Sequence, residues 1–177
     1  MAGPSDVYIG LGANLGDRLA ALQQAVKGMS SWPETEVVGA SSIYETEAHV
    51  LPGQDRQPDH LNAVVQLRTA LCPHDVLERL QSIERTAGRD PEAAPWSPRP
   101  LDLDILIVGA EIVDDDELAI PHPRIAERRF VLAPLAEIAP EIQVGGMTVA
   151  ALLAETSDTA RITRTGLTLL EDQRLGE

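Results

Sequence analysis

Apolar positions in this chain fall into short alternating or helically spaced runs, and the period changes wherever glycine, proline and acidic residues cluster. "VYIGL" (7–11) reads as a first strand. After Asp17, the recurrence of Leu19, Leu22, Val26 and Met29 predicts a helix reaching about Ser30. "TEVVGASSIYET" (35–46) and "LNAVVQLRT" (61–69) read as second and third strands, separated by the polar stretch "EAHVLPGQDRQPDH" (47–60). Pro73 suits the first turn of a second helix with the apolar stripe Val76, Leu80, Ile83 and Ala87, and Gly88 is its stop. "LDLDILIVG" (101–109) is a fourth strand, with "EIV" (111–113) expected to pair back on it. "IPHPRIAERRFVLAPLAEIAP" (120–140) reads as loop and short helical turns, 148–155 as a short helix, 161–170 as a late strand and 171–177 as a frayed tail.

Strand, helix, strand, strand, helix, strand is the order of a split βαβ plan. The expected fold is therefore α+β and ferredoxin-like (βαββαβ), with a mainly antiparallel sheet, both helices on one face, and C-terminal additions. At 177 residues, with neither repeat nor linker, the chain is expected to form one domain over 1–177.

Charge narrows the partners. A net charge of -14 opposes binding to a nucleic-acid backbone, and no apolar run approaches the roughly 18 residues of a membrane span. The opening "MAGPSDVYIG" has neither the basic nor the apolar region of a secretory signal, and the one cysteine, Cys72, has no internal disulfide partner, so a cytoplasmic protein is expected. Of 14 basic residues only Lys27 is lysine; the others are arginines, whose planar fork suits phosphate oxygens.

The glycines of "YIGLGANLGDR" do not make a known phosphate loop. Gly10, Gly12 and Gly16 put the third glycine one residue late for G-x-G-x-x-G, and Lys27 stands outside any G-x-x-x-x-G-K-[ST] frame. They read instead as a strand-to-helix turn that uses positive φ, with Asn14 or Asp17 capping the helix. At most this turn borders a site.

"SPRPLDLDILIVG" carries more chemistry. On a strand, Asp102 and Asp104 share a face about 7 Å apart while Leu101, Leu103 and Ile105 share the other. Two adjacent carboxylates imply a cation, and magnesium fits; the bland alternative is an edge strand turning both to solvent. Arg89 and Arg99 flank the Pro-rich connection to this strand and complete a set suited to phosphoryl transfer. Gln81 and Glu84 lie along one edge of the second helix, where hydrogen bonding at the helix edge is the plain reading.

Taken together, "YIGLGANLGDR", "LNAVVQL", "GR" (88–89), "PRPLDLDIL" (98–106) and the 120–140 block resemble 6-hydroxymethyl-7,8-dihydropterin pyrophosphokinase, a folate-pathway family, over about 8–140. The resemblance implies transfer of an intact diphosphoryl group from the co-substrate ATP to the pterin hydroxymethyl oxygen, with release of AMP. It implies two magnesium ions at Asp102 and Asp104, and Arg89 and Arg99 acting on the phosphates. By the same resemblance Gln81, Glu84, Ile105, His122 and Arg128 meet ATP, while Thr46, His60, Asn62, Trp96 and Phe130 hold the pterin. Both substrates are small molecules, and a monomer is expected. The sequence departs from the family pattern at His60, which replaces an aromatic, at Glu47-Ala48-His49, and at Pro91 and Pro95, where some members are basic. The connection from Arg89 to Pro98 is expected to act as a lid. A ferredoxin-like module that senses a nucleotide or metal without turnover is the competing reading; such a module needs no transition-state arginines.

Overall fold

The computed structural model describes residues 3–48, 53, 57–90, 92 and 97–170. Strand β1 (Ser5–Ala13) extends past the expected 7–11 at both ends, running straight through Gly10 and Gly12. Of the three early glycines only Gly16, with φ 64°, takes the left-handed turn. Helix α1 (Arg18–Ser30) follows, capped by Asp17, whose carboxylate accepts from Ala20 N at 3.0 Å.

The expected strand 35–46 is two, β2 (Thr35–Ala40) and β3 (Tyr44–Thr46). Ser41 makes the break: its hydroxyl accepts from Val64 N (2.9 Å) and donates to Ser42 O (2.7 Å), so a side chain replaces part of the ladder. Both pieces pair with β4 (His60–Thr69), β2 at its C-terminal end and β3 at its N-terminal end. Helix α2 (Pro73–Thr86) starts on its proline and stops before Gly88, at φ 90°. Strand β5 (Asp102–Val108) comes next.

The segment 111–113 does not pair with β5. Its β6 (Val113–Asp114) pairs with β7 (Ala119–Ile120), because Asp115 accepts from Glu117 N and Leu118 N, both at 2.9 Å, and closes a tight turn between them. The expected loop at 120–140 holds a 3₁₀ turn (Ile125–Glu127) and a ten-residue helix, α3 (Arg129–Ile138). A proline inside a helix costs about 3 kcal/mol. Here Val131, Leu132 and Leu135 bury against the sheet and Pro134 is buried with them, which offsets that cost. A small hairpin, β8 (Gln143–Val144) and β9 (Met147–Thr148), leads to α4 (Val149–Glu155). Of the expected late strand only β10 (Ile162–Arg164) forms, antiparallel to β3. The tail 171–177 lies outside the described residues.

The main sheet has the order β10-β3-β4-β1-β5 with β2 beside β4, every pair antiparallel. Odd positions of β1, from Val7 to Ala13, pack with Leu22, Met29, Val76 and Leu80 of α1 and α2. Both helices thus lie on one face, as expected. On the other face Tyr8, Val64 and Leu106 pack with Leu132 and Leu135 of α3 and Val149 of α4. No helix among the described residues is long and apolar enough to cross a membrane.

One carboxylate ties α3 to the bend between β2 and β3. Glu137 accepts from Ser42 N at 2.7 Å and from the Tyr44 hydroxyl at 2.5 Å, and it faces Arg164 of β10 at 3.4 Å. Burial, the hydrogen bond to Glu137 and the Glu137 charge push the Tyr44 phenol up to about 12. A Tyr8→Phe background leaves Tyr44 as the one tyrosine, and its ionisation, followed at 295 nm, should be delayed to about pH 12. Glu137→Ala should return it toward the ordinary value; an unchanged titration would mean that Glu137 does not grip it in solution.

Candidate active site

The site occupies the part of the second sheet face that α3 leaves open. Its floor is made by residues that are missing side chains. Gly12 sits between Asn62 of β4 and Asp102 of β5, and Gly10 between Val64 and Asp104. A Cβ on Gly12 would come within 2.9 Å of Asn62 Oδ1, whereas one on Gly10 would meet Leu106 at an ordinary 3.4 Å. Above these positions opens a cleft of about 560 Å³ whose lining includes Thr46, His60, Asn62, Asp102, Asp104, Arg128 and Phe130.

The carboxylates face this cleft rather than bulk solvent, and guanidiniums come with them. Asp102 Oδ1 lies 3.2 Å from Arg89 Nη1 and 3.1 Å from Arg99 Nη1. Asp104 faces Arg128 more loosely, at 3.9 Å. Burial, then the Asp102 charge, push the Asp104 carboxyl up to about 6, with Arg128 pulling the other way. Its negative charge is thus under-compensated, which suits a hard divalent cation. No group of three or more His, Cys, Asp or Glu side chains is gathered for a metal among the described residues. Asp102 and Asp104 are the carboxylates of the cleft that would hold such an ion, with water and phosphate oxygens at its other positions, as magnesium prefers.

Two further residues position the arginines. Glu84 is 3% exposed, accepts from Leu103 N at 2.7 Å on the free edge of β5, and forms an ion pair with Arg89. Burial pushes its carboxyl up, opposed by the Leu103 hydrogen bond and Arg89. Such a buried charge costs several kcal/mol unless paired, so Glu84 and Arg89 hold each other in place. Asn14 was expected as a possible cap; it is instead a clamp, 2% exposed. Its Oδ1 accepts from Arg99 N at 2.8 Å and its own N donates to Arg99 O at 3.2 Å. Nothing local in the sequence signals this contact, which spans 85 positions.

On the opposite wall, Asn62 Nδ2 donates to Thr46 Oγ1 at 2.6 Å, both residues being buried. His60 lines the cleft, and burial lowers its pKa, with Asp102 and Asp59 opposing, which favours the neutral ring. The Arg128 guanidinium stands 5.7 Å from the centre of the Phe130 ring. His122 is half-buried at the margin, its N bonded to Leu106 O at 2.8 Å and its Nδ1 accepting from Arg124 N at 3.1 Å. Burial, then Arg128 and Arg124, lower its pKa.

Other expected residues do not reach the cleft. Gln81 is exposed on α2, and Ile105 is 4% exposed with its side chain in the core under α1 and α2, because it alternates with Asp104. Glu84 reaches the site only through Arg89. Trp96, and with it Pro91, Pro95 and in all half of the expected lid, lies outside the described residues, as does His49. Sequence reading did not single out Asp158 and Ala160, which also line the cleft.

An antiparallel sheet with helices on both faces, carrying paired carboxylates and arginines beside an aromatic wall, defines the class: a mixed α/β protein with a cleft suited to phosphoryl transfer. The sequence model of the family 7,8-dihydro-6-hydroxymethylpterin-pyrophosphokinase (HPPK) matches residues 8–140, and the chain belongs to this family. It is 44% identical over 136 residues to 2-amino-4-hydroxy-6-hydroxymethyldihydropteridine pyrophosphokinase of Bacillus subtilis (strain 168), covering 77% of this chain and 79% of that one. It is 44% identical over 149 residues to the pyrophosphokinase of the same name from Methylorubrum extorquens, covering 84% and 91%. Among solved structures, wild-type Plasmodium falciparum HPPK-DHPS with pterin and p-hydroxybenzoate shares the fold, with a TM-score of 0.64 at 13% identity. The match covers 87% of this chain and 43% of that longer one. The chain is accordingly a diphosphate-transferring enzyme of folate biosynthesis.

The electrostatics of Asp104 make a prediction for the metal-free protein. A carboxyl that titrates at about 6 when folded, against 3.8 as the ordinary value, binds its proton more tightly in the folded state. Its ionisation therefore opposes folding fully above pH 6, progressively less as pH falls toward 3.8, and not at all below. Asp104→Asn should melt higher than the parent protein at pH 7.5 in EDTA, with the gap closing by about pH 4. Equal melting temperatures across the range would show that Asp104 is already compensated.

Proposed function

We propose that this cleft binds MgATP and 6-hydroxymethyl-7,8-dihydropterin side by side and moves the β,γ-diphosphoryl group from one to the other. The pterin hydroxymethyl oxygen attacks the β-phosphorus and gives up its proton to a phosphate oxygen and on to water, the bond from that phosphorus to the α,β-bridging oxygen breaks, and AMP leaves with the bonding electron pair. The observation that carries this reading is the meeting of Arg89 and Arg99 on Asp102, beside Asp104, at the floor of the cleft. Cations and carboxylates converge there, where a polyphosphate and its metal need both.

Asp102 and Asp104 would hold magnesium, as two ions, which when bound would neutralise charge on the phosphates. The planar forks of Arg89 and Arg99, which meet Asp102, fit phosphate oxygens in the same geometry. Glu84 and Asn14 keep the two arginines over the floor. Arg128 and His122 serve the ATP side, while Ile105 contributes main chain alone and Gln81 stands outside the cleft on α2. Asn62, oriented by Thr46, reads the polar edge of the pterin, while Phe130 and His60 supply flat surface to its ring. A neutral imidazole at position 60 suits stacking better than a charged one. A sensing module would need no pair of guanidiniums over a carboxylate floor.

The finer fold assignment is ferredoxin-like. It is supported by the strand order in which β5 and β4 flank β1 and the β2–β3 pair lies outside β4. The residues 1–177 form one domain acting as a monomer in the cytoplasm.

Incubation with ATP, magnesium and the pterin should yield AMP and pterin diphosphate in equal amounts. ADP as the stoichiometric product would sink the reading in favour of an ordinary kinase. The floor glycines give a second check. Gly12→Ala forces Asn62 to turn away from Thr46, since 2.9 Å is too close for a methyl group, and should raise the pterin KM about tenfold. Gly10→Ala, with ordinary contacts, should stay within about twofold. Equal effects in both variants would mean that Asn62 does not read the pterin.

A further inference from the structure

The chain beyond residue 140, where the match to the family model ends, returns to the cleft. After α4 it runs back beside the wall built by α3, and Asp158 and Ala160 join Arg128 and Phe130 in the lining. Three attachments hold this return segment. Asp158 Oδ2 accepts from Arg129 N, the first residue of α3, at 2.9 Å, while its Oδ1 accepts from Ala160 N at 2.9 Å. Arg161 O accepts from Glu47 N at 3.1 Å, and the Arg161 side chain pairs with Asp59 at 2.9 Å. Strand β10 then completes the sheet edge against β3.

Helix α3 needs what Asp158 provides. Its own cap position is Arg128, which makes no side-chain capping bond, and its first turn contains no acidic residue. Two consecutive arginines, Arg128 and Arg129, stand instead at the positive end of the helix dipole, where cationic side chains favour fraying. A carboxylate supplied from 29 positions away satisfies an open N–H and offsets that charge. The turn it secures is the one that carries Arg128 and Phe130 into the cleft.

We propose that Asp158 is a positioning residue for diphosphate transfer: by capping α3 from outside the family-matched region, it fixes Arg128 and Phe130 at the substrates. This rests on the reading that those two side chains meet ATP and the pterin. The experiment compares full-length Asp158→Ala, Asp158→Asn, Phe130→Ala and Thr148→Ala by steady-state kinetics in both substrates, with amide exchange at 129–132. Thr148 caps α4 through Ala151 N at 3.1 Å and is not part of the cleft lining, so its loss is a matched structural control.

Asp158→Ala should speed exchange at 129–132 and raise KM for both substrates about tenfold, because a small displacement of a binding group is costly. Asn can still accept from Arg129 N, so Asp158→Asn should recover most of that loss. Thr148→Ala should lower the melting temperature and leave both KM values within about twofold. If Phe130→Ala raises the pterin KM but Asp158→Ala does not, the inference fails while the site reading stands. If neither variant moves KM although exchange quickens, both fail together. A tenfold rise in Thr148→Ala would likewise overturn it, showing that any loss of helix stability has the same effect.

Discussion

Strand β1 has to serve two faces with opposite requirements. Its odd positions bury Val7, Ile9, Leu11 and Ala13 under α1 and α2, and its even positions offer Gly10 and Gly12 to the cleft. Any side chain at Gly12 would collide with Asn62, so the space for a ligand is created by what β1 lacks. The arrangement is stable only because β1 is central. With β4 and β5 paired on either side, its backbone hydrogen bonds hold the glycines in an extended conformation that their own preferences would not select. The cleft and the core are thus opposite sides of one alternation, and a one-residue slip in register would exchange them.

The same alternation on β5 separates chemistry from packing. Asp102 and Asp104 face the cleft while Leu103 and Ile105 face the core. Beyond Ile105 the alternation gives way, since a register shift opposite Tyr8 and Ile9 lets both Leu106 and Ile107 join the second core under α3. The polar part of β5 therefore ends where α3 begins to cover the sheet.

Much of this was legible because it is periodic. The LDLDILIV pattern, the stripes of α1 and α2 and the positions of β1, β4 and β5 along the chain follow from spacing alone. What was not legible depended on contacts between distant parts of the chain. Asn14 reads locally as a helix cap, but Asp17 takes that duty and Asn14 clamps Arg99. Glu84 reads as a helix-edge group, yet it is buried against the free edge of β5 and holds Arg89. Helix α3 was hidden by Pro134, whose cost is offset only when the sheet is there to bury its neighbours. Arg89, Arg99, Asp102 and Asp104 were found as a group because their residue types are costly without one another, a constraint that does not require the fold to be known.

That mutual cost explains how a chain of net charge -14 can receive a polyphosphate. Long-range repulsion is screened within about a Debye length, so the local balance inside the cleft decides. Asp102 shares two arginines, while Asp104 faces Arg128 more loosely, at 3.9 Å. The floor holds its guanidiniums in place against carboxylates rather than leaving them to solvent, while one carboxylate remains under-compensated. A divalent ion would compensate the carboxylates and phosphates would engage the arginines, so that each would relieve a different half of this balance. Either alone would leave the other charge unmatched in a partly desolvated cleft. On the proposed reading this charge arrangement suits a metal–nucleotide complex better than free metal or free nucleotide, with Arg89 held by Glu84 and Arg99 by Asn14.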